Sequence, residues 1–229
     1  MALESLLKTA DARLYPSLRD PNYLVLRARR LIFASQLRGL APNLTVLDVG
    51  GRYQPYRPLI ASKVRRYLAL DIKKTELVTV LGSGEQIPFR DGTFDLVIAT
   101  CVFDYFPDPY QAAAEIFRVL KPGGCVFASF GALVPRFEDD ECWRYLPSGL
   151  RSLFSSFSST SIMPEVSSLG GFCRLVNLGF HDFLKLRTLK FAYRLTICPI
   201  LNLIGVSLEK ARLTENDKWT GNYSVLAVR

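Results

Sequence analysis

Two aspartates in this 229-residue chain stand at the ends of short apolar runs, where carboxylates can serve a nucleoside. Asp48 lies near the end of the apolar run Thr45-Val46-Leu47-Asp48-Val49, which stops at Gly50-Gly51-Arg52. Asp71 closes a second run, Arg66-Tyr67-Leu68-Ala69-Leu70, one βα unit downstream. Both runs are too short for helices and read as buried parallel strands ending in turns. Glycine accepts φ > 0 and lets a ligand approach the backbone, so Gly50 and Gly51 open a crevice at the first strand's carboxyl end. Open α/β sheets bind ligands in that crevice, and an acid at the tip of the second strand suits ribose hydroxyls. The pair predicts a nucleoside site. Arg52, beside the glycines, reads either as a surface residue or as a cation facing a carboxylate or phosphate.

Several elements must position these residues. Residues 1–42 read as a helical flap near the mouth of the sheet, with Leu24, Ala28, Leu31 and Ile32 on one helix face and Gly39 and Pro42 as the stop. Leu77–Leu81 reads as the third strand, and Pro88 with Asp91-Gly92 forbids regular structure before a fourth strand at 94–99. Asp108 caps a helix that has Pro109 at its first position, an apolar stripe of Ala113, Ile116, Phe117 and Leu120, and the stop Lys121-Pro122-Gly123-Gly124. A fifth strand covers 125–129. Strands alternating with helices predict an α/β, Rossmann-like, doubly wound and mainly parallel seven-stranded sheet with an antiparallel C-terminal strand, N-terminal helices and a helical lid insert. One domain is expected over 1–229: the flap, a cofactor-binding core at 43–130, an acceptor lid at 131–221 and a final strand at 222–229. Within the lid, 147–157 suits a helix and the Ser-rich 155–161 a loop.

Composition bounds the function. At 49% hydrophobic the chain can bury a sizeable core. A net charge of +8 suits an anionic partner without selecting nucleic acid, membrane or phosphorylated substrate. Arg13, Arg19, Arg27, Arg29, Arg30 and Arg38 read as a solvated helix face. Cys101, Cys125, Cys142, Cys173 and Cys198 form no CxxC pair and read as reduced core residues of a cytoplasmic protein. His181 is the only histidine, so triads and His-based metal sites have little to be built from, and no metal is expected. The charged N-terminus lacks the apolar stretch of a secretory signal.

Asp48-Val49-Gly50-Gly51, Asp71, Gly84-Glu85-Gln86-Ile87-Pro88-Phe89, Phe94-Asp95-Leu96-Val97 and Arg118-Val119-Leu120-Lys121-Pro122-Gly123-Gly124 resemble, in order and spacing, the motifs of class I S-adenosylmethionine-dependent methyltransferases, nearest the group called type 11. Asp140–Pro147 with Gly149-Leu150 is similar to a segment of a bacterial subset acting on glycans, lipids or other cell-envelope intermediates. The resemblance implies that Asp48, Gly50 and Gly51 pack against the methionine portion of S-adenosylmethionine. By the same resemblance Asp71 takes the ribose hydroxyls, Ser83, Gly84 and Glu85 contact adenine, and Thr100 and Cys101 lie beside the methyl group. Arg52 and Gln54 occupy positions that are usually glycine. That departure motivates an alternative, a non-catalytic methyltransferase-like module binding a nucleoside or a partner.

Displacement on a sulfonium mainly needs alignment, which supplies about 7–11 kcal/mol by proximity. A hydroxyl or amine acceptor adds the need for a base. Asp104 and Tyr105, just past the fourth strand, are the candidates, followed by Glu141 if the acidic loop folds over the mouth. An NAD-dependent oxidoreductase fits worse, because G-x-G-x-x-G is absent. Nucleic acid ranks low as acceptor, because Thr100-Cys101-Val102-Phe103 stands where a base-flipping signature would be. The expected acceptor is a small molecule or a lipid- or glycan-linked one. Lys185, Arg187, Lys190 and Arg194 precede the apolar stretch 195–208, which reads either as a cap helix or as a peripheral membrane contact.

Overall fold

The computed structural model describes residues 2–213 and 216–229. Its strands are β1 (Leu44–Val49), β2 (Val64–Asp71), β3 (Val80–Leu81), β4 (Phe94–Thr100), β5 (Leu120–Gly131), β6 (Ser159–Pro164) and β7 (Asn222–Val228). They form one seven-stranded sheet in the order β3-β2-β1-β4-β5-β7-β6. β1 to β5 pair in parallel, and β7 runs antiparallel to both β5 and β6. The order reverses between β1 and β4, so the crevice opens at their carboxyl ends.

The central strands are apolar on both faces because both faces are covered. Leu47, Val97, Ala99, Val126 and Ala128 pack on one side with Ile116. Val46, Leu96, Ile98 and Phe127 pack on the other with Phe33 and Leu37. On the first side lies α3 (Pro109–Val119), whose start is fixed as the sequence predicts: Gln111 N donates to Asp108 Oδ1 at 3.0 Å. The expected stop at 121–124 is instead part of β5. Leu120 pairs with Phe94 and Cys125 with Leu96, so the extra residues bulge out of the ladder. Gly124 allows this, since a Cβ there would lie 3.1 Å from the Phe94 carbonyl oxygen.

The flap forms α1 (Leu3–Leu14) and α2 (Tyr23–Leu37). The buried stripe of α2 is Leu24, Val25, Phe33 and Leu37, whereas Leu31, expected on that face, is exposed. Arg29 also corrects the solvated-face expectation. Its guanidinium is buried against Glu165, with Nε to Oε1 at 2.8 Å and Nη2 to Oε2 at 2.9 Å. Glu165 Oε1 further accepts from Ser129 Oγ at 2.6 Å and Ser224 Oγ at 2.9 Å. One carboxylate thus ties α2 to β5, β7 and the end of β6.

Two further expectations change. The third strand shrinks to two residues at the sheet edge. The Ser-rich loop gives way at Ser159 to β6, an edge strand that is mostly open to solvent and therefore carries no apolar run to read. Residues 131–221 also supply α4 (Pro147–Leu153), α5 (Ser168–Phe183), α6 (Arg187–Leu195) and α7 (Ile197–Ala211). Gly205 of α7 lets it close on α2, since a Cβ there would lie 2.5 Å from Leu24 Cδ1.

Removing one partner of a buried ion pair leaves an uncompensated charge. Arg29→Met is therefore expected to lower the unfolding free energy by about 3–5 kcal/mol in urea denaturation, and Arg29→Met/Glu165→Leu to recover part of that loss.

Candidate active site

The turn after β1 is held from the neighbouring strand: Gly50 N and Gly51 N both donate to the Leu70 carbonyl, at 2.8 and 3.2 Å. Gly50 has φ +76°, and a Cβ on it would come within 2.8 Å of Val102 Cγ2. Asp71, at the tip of β2, faces this turn across a cavity of about 210 Å³ that Val49, Gly50, Ser83, Gly84 and Phe106 also line. Gly84 packs directly on two of its neighbours in that wall, since a Cβ there would lie 2.5 Å from Phe106 Cζ and 2.9 Å from Val49 Cγ1. Glu85 lines the cavity too, but its Oε1 accepts from Asp108 N at 2.7 Å and so secures the start of α3.

Asp48 and Gly51 lie below the crevice rather than on its wall. Tyr67 Oη donates to Asp48 Oδ2 at 2.5 Å, and a Cβ on Gly51 would lie 2.9 Å from Asp48 Cγ. Direct ligand contact by Asp48, as the sequence suggests, gives way to support of the turn from beneath. Burial pushes its carboxyl up to about 7, against the Tyr67 hydrogen bond. Gln54 takes φ +52°, the region a glycine would use, and its Nε2 donates to the Leu77 carbonyl at 2.6 Å. The turn keeps its course without the family's later glycines.

A second cavity of about 470 Å³ adjoins the first and shares Gly50, Asp71, Val102 and Tyr105 with it. Thr100, Cys101 and Arg52 line it, with the Arg52 guanidinium 5.3 Å from the Tyr53 ring centre. Asp104, Tyr105 and Glu141 meet on its wall. The acidic loop does fold over the mouth, because Cys142 N and Trp143 N donate to the Asp104 carbonyl at 2.7 and 3.2 Å. Trp143 Nε1 also donates to the Phe106 carbonyl at 2.8 Å. Glu141 accepts from Tyr105 Oη at 3.3 Å and pairs with Arg144 at 2.5 Å.

Burial raises the Asp104 carboxyl to about 6, opposed by its hydrogen bond from Gly131 N and by Arg144. That range suits a general base near neutrality. Tyr105 is different. Burial, then Glu138 and Glu141, hold its phenol well above the ordinary range, so it serves as a hydrogen-bond donor and not as a base. His181 lies on α5 beside Asp182, 3.1 Å away, and lines neither cavity. All five cysteines are free, but Cys142 is exposed in the loop, against the expectation of a core position. Among the described residues no group of three His, Cys, Asp or Glu side chains could hold a metal ion.

Sequence reasoning missed Arg13, Arg29, Arg174 and Asn222, which all line the larger cavity. Arg174 and Asn222 sit far along the chain from the motifs, and nothing local marks them.

Asp48 and Asp104 hold protons more tightly folded than unfolded. Their contribution to stability is complete below the unfolded value of 3.8 and is lost as pH rises through about 6 and about 7. Carboxyl-¹³C NMR is expected to show two aspartates titrating near those values, one vanishing in Asp104→Asn and the other in Asp48→Asn.

Comparison with known proteins agrees with this architecture. The family model of a methyltransferase domain matches residues 47–128. An uncharacterized methyltransferase of Mycobacterium sp. strain JLS is 30% identical over 96 residues, covering 38% of each chain. One from Mycobacterium avium strain 104 is 30% identical over 102 residues, covering 39% of this chain and 40% of that one. The chain thus aligns with well under half the length of these relatives. A SAM-dependent methyltransferase from Archaeoglobus fulgidus superposes with a TM-score of 0.55 at 13% identity, over 92% of this chain and 95% of that one. The [4+2]-cyclase SpnF does so with a TM-score of 0.53 at 16% identity, over 88% and 80%. Residues 47–128 thus match a methyltransferase domain, and the sheet order and the crevice at the β1 and β2 tips agree with that match.

Proposed function

We propose that the chain transfers a methyl group from S-adenosylmethionine to a small-molecule, glycan-linked or lipid-linked acceptor of the cell envelope, with residues 131–221 closing over the acceptor. The observation that carries this reading is the pair of adjoining cavities with a common wall of Gly50, Asp71, Val102 and Tyr105. A smaller cavity with a ribose-type acid opens into a roomier polar chamber, as a two-substrate transfer requires. The bound cofactor supplies an electrophilic methyl group. Asp71 accepts from the ribose hydroxyls, and Gly84 with Phe106 frames the adenine. Arg52 faces the methionine carboxylate or an anionic acceptor, and Thr100 and Cys101 line the methyl's path. Asp104 takes the acceptor's proton, and Tyr105, whose hydroxyl proton is given to Glu141, turns its oxygen lone pairs toward the acceptor's hydroxyl or amine hydrogen. The loop clamped on Asp104 keeps water out and the acceptor aligned. The non-catalytic alternative loses its motive, since Gln54 adopts the backbone conformation that the missing glycine would have supplied.

The same reading assigns the protein to the cytoplasmic side of an anionic membrane surface. The helical stretch Arg187–Ala211 is long and apolar enough to cross a membrane by length and composition, and only 22% of its most apolar window is buried. Its inner side is tied to the flap: Asn202 Nδ2 donates to the carbonyls of Leu18 and Asp20 at 2.8 and 2.9 Å. Phe183, Phe191, Ile200 and Leu203 face outward, 84%, 66%, 57% and 52% exposed, beside Lys185, Arg187 and Arg194. An apolar face bordered by cations suits lying on anionic lipid.

Calorimetry with S-adenosylmethionine is expected to show binding that Asp71→Ala weakens by about 10- to 100-fold, the worth of hydrogen bonds to a charged group. Unchanged affinity would remove the ribose assignment. Turnover with an identified acceptor is expected to rise with pH to a plateau above about 6, and Asp104→Asn to abolish that rise. Vesicles containing anionic phospholipid are expected to co-sediment the protein, and neutral vesicles or a Phe183→Ser/Phe191→Ser variant to do so far less.

A further inference from the structure

Arg174, on α5, is 3% exposed and lines the larger cavity. Its Nε and Nη2 both donate to Asn22 Oδ1, at 3.1 and 2.8 Å, and among the described residues its Nη1 has no hydrogen-bond partner. The contrast with Arg29 on the same wall is direct, because Arg29 is matched by the carboxylate of Glu165. Arg174 is held by one neutral amide and forms no ion pair with a described residue. A buried guanidinium so placed is unfavourable until an anion meets it. Burial, against the pull of the nearby Glu165 carboxylate, lowers its pKa to about 10.

The surroundings are built around that group. Gly221 lies against it, where a Cβ would come within 2.2 Å of Nη1. The next residue, Asn222, is 4% exposed, lines the same cavity, and has an Oδ1 that is likewise without a partner among the described residues. A free donor and a free acceptor, both buried on one cavity wall, ask for a ligand that accepts from the first and donates to the second. The planar guanidinium favours an oxyanion, and the amide oxygen favours a hydroxyl.

We infer that Arg174, with Asn222 beside it, is the subsite for an oxyanion, a phosphate or a carboxylate, on a hydroxyl-bearing acceptor. This rests on the larger cavity being the acceptor chamber of the proposed methyl transfer. It adds that the acceptor is anionic and is held from α5 and the start of β7. Asp104, whose carboxyl accepts from Gly131 N at the end of β5, is left to meet the acceptor's nucleophile. Arg13 and Arg52 line the same cavity, together with acids that include Asp20, Asp104 and Glu141, so the preference for an anion rests on Arg174 itself.

The experiment is calorimetry on the full chain, with S-adenosylhomocysteine first and then inorganic phosphate or acetate, repeated with Arg174→Gln. Saturable binding of one anion is expected, weakened about tenfold or more by Arg174→Gln, with S-adenosylhomocysteine affinity within about twofold of the unaltered chain. The tighter-bound anion names the group. Asn222→Asp places a carboxylate beside the guanidinium and is expected to suppress anion binding as well, so it decides the matter if Arg174→Gln does not fold by circular dichroism. Binding of S-adenosylhomocysteine with no anion bound overturns the subsite and leaves the methyltransferase reading intact. Weakened S-adenosylhomocysteine with unchanged anion binding hands Arg174 to the cofactor and also overturns it. If S-adenosylhomocysteine fails to bind at all, the methyltransferase reading falls, and the anion titration alone still judges Arg174.

Discussion

The carboxylate of Glu165 is the interaction on which the acceptor side of the molecule rests. A fully buried carboxylate is unfavourable unless every lone pair is met, and here Arg29, Ser129 and Ser224 meet them. Those donors come from α2, β5 and β7, so satisfying one charge fixes the helical flap against the far half of the sheet. The larger cavity is the space left between them. Its lining carries acids and bases together, and of its two buried arginines Arg29 is spent on the anchor while Arg174 is not.

The three acids near the crevice show how one residue type takes three duties from its surroundings. Asp71 lies on the common wall of both cavities, open to a ligand. Asp48 sits one strand over but beneath the turn, where Tyr67 and the close approach of Gly51 make it a support. Asp104 has its main-chain carbonyl occupied by the acidic loop and its carboxyl only partly satisfied by Gly131 N. All three are buried, so what separates them is the partner each side chain meets and whether it faces a cavity.

The donor half of the site was legible because local rules govern it. Strand-end acids, a glycine turn and a capped helix each leave a mark within a few residues, whereas Gly84 is singled out only by the resemblance. Local marks also reveal α3, whose cap, proline and apolar stripe agree with one another. Elsewhere the marks are not local. Arg29 looks like its exposed neighbours in α2, and only its meeting with Glu165, 136 residues away, reveals a buried partner. Ser159–Pro164 joins the sheet through backbone pairing with β7 and not through apolar side chains, so a serine-rich stretch gives no warning of a strand. The glycine replaced by Gln54 misled for a related reason: a glutamine can hold the left-handed turn when its side chain finds the Leu77 carbonyl.

The hydrogen bonds from Cys142 and Trp143 to the Asp104 carbonyl have an implication for timing. They join the covering loop to the very residue whose acidity depends on being covered. Lifting the loop would let solvent reach the carboxyl and return it to ordinary acidity, so that it would idle as a fully charged, weakly basic group. Reseating the loop would restore its appetite for a proton. For the proposed base, closure and basicity would then be one event.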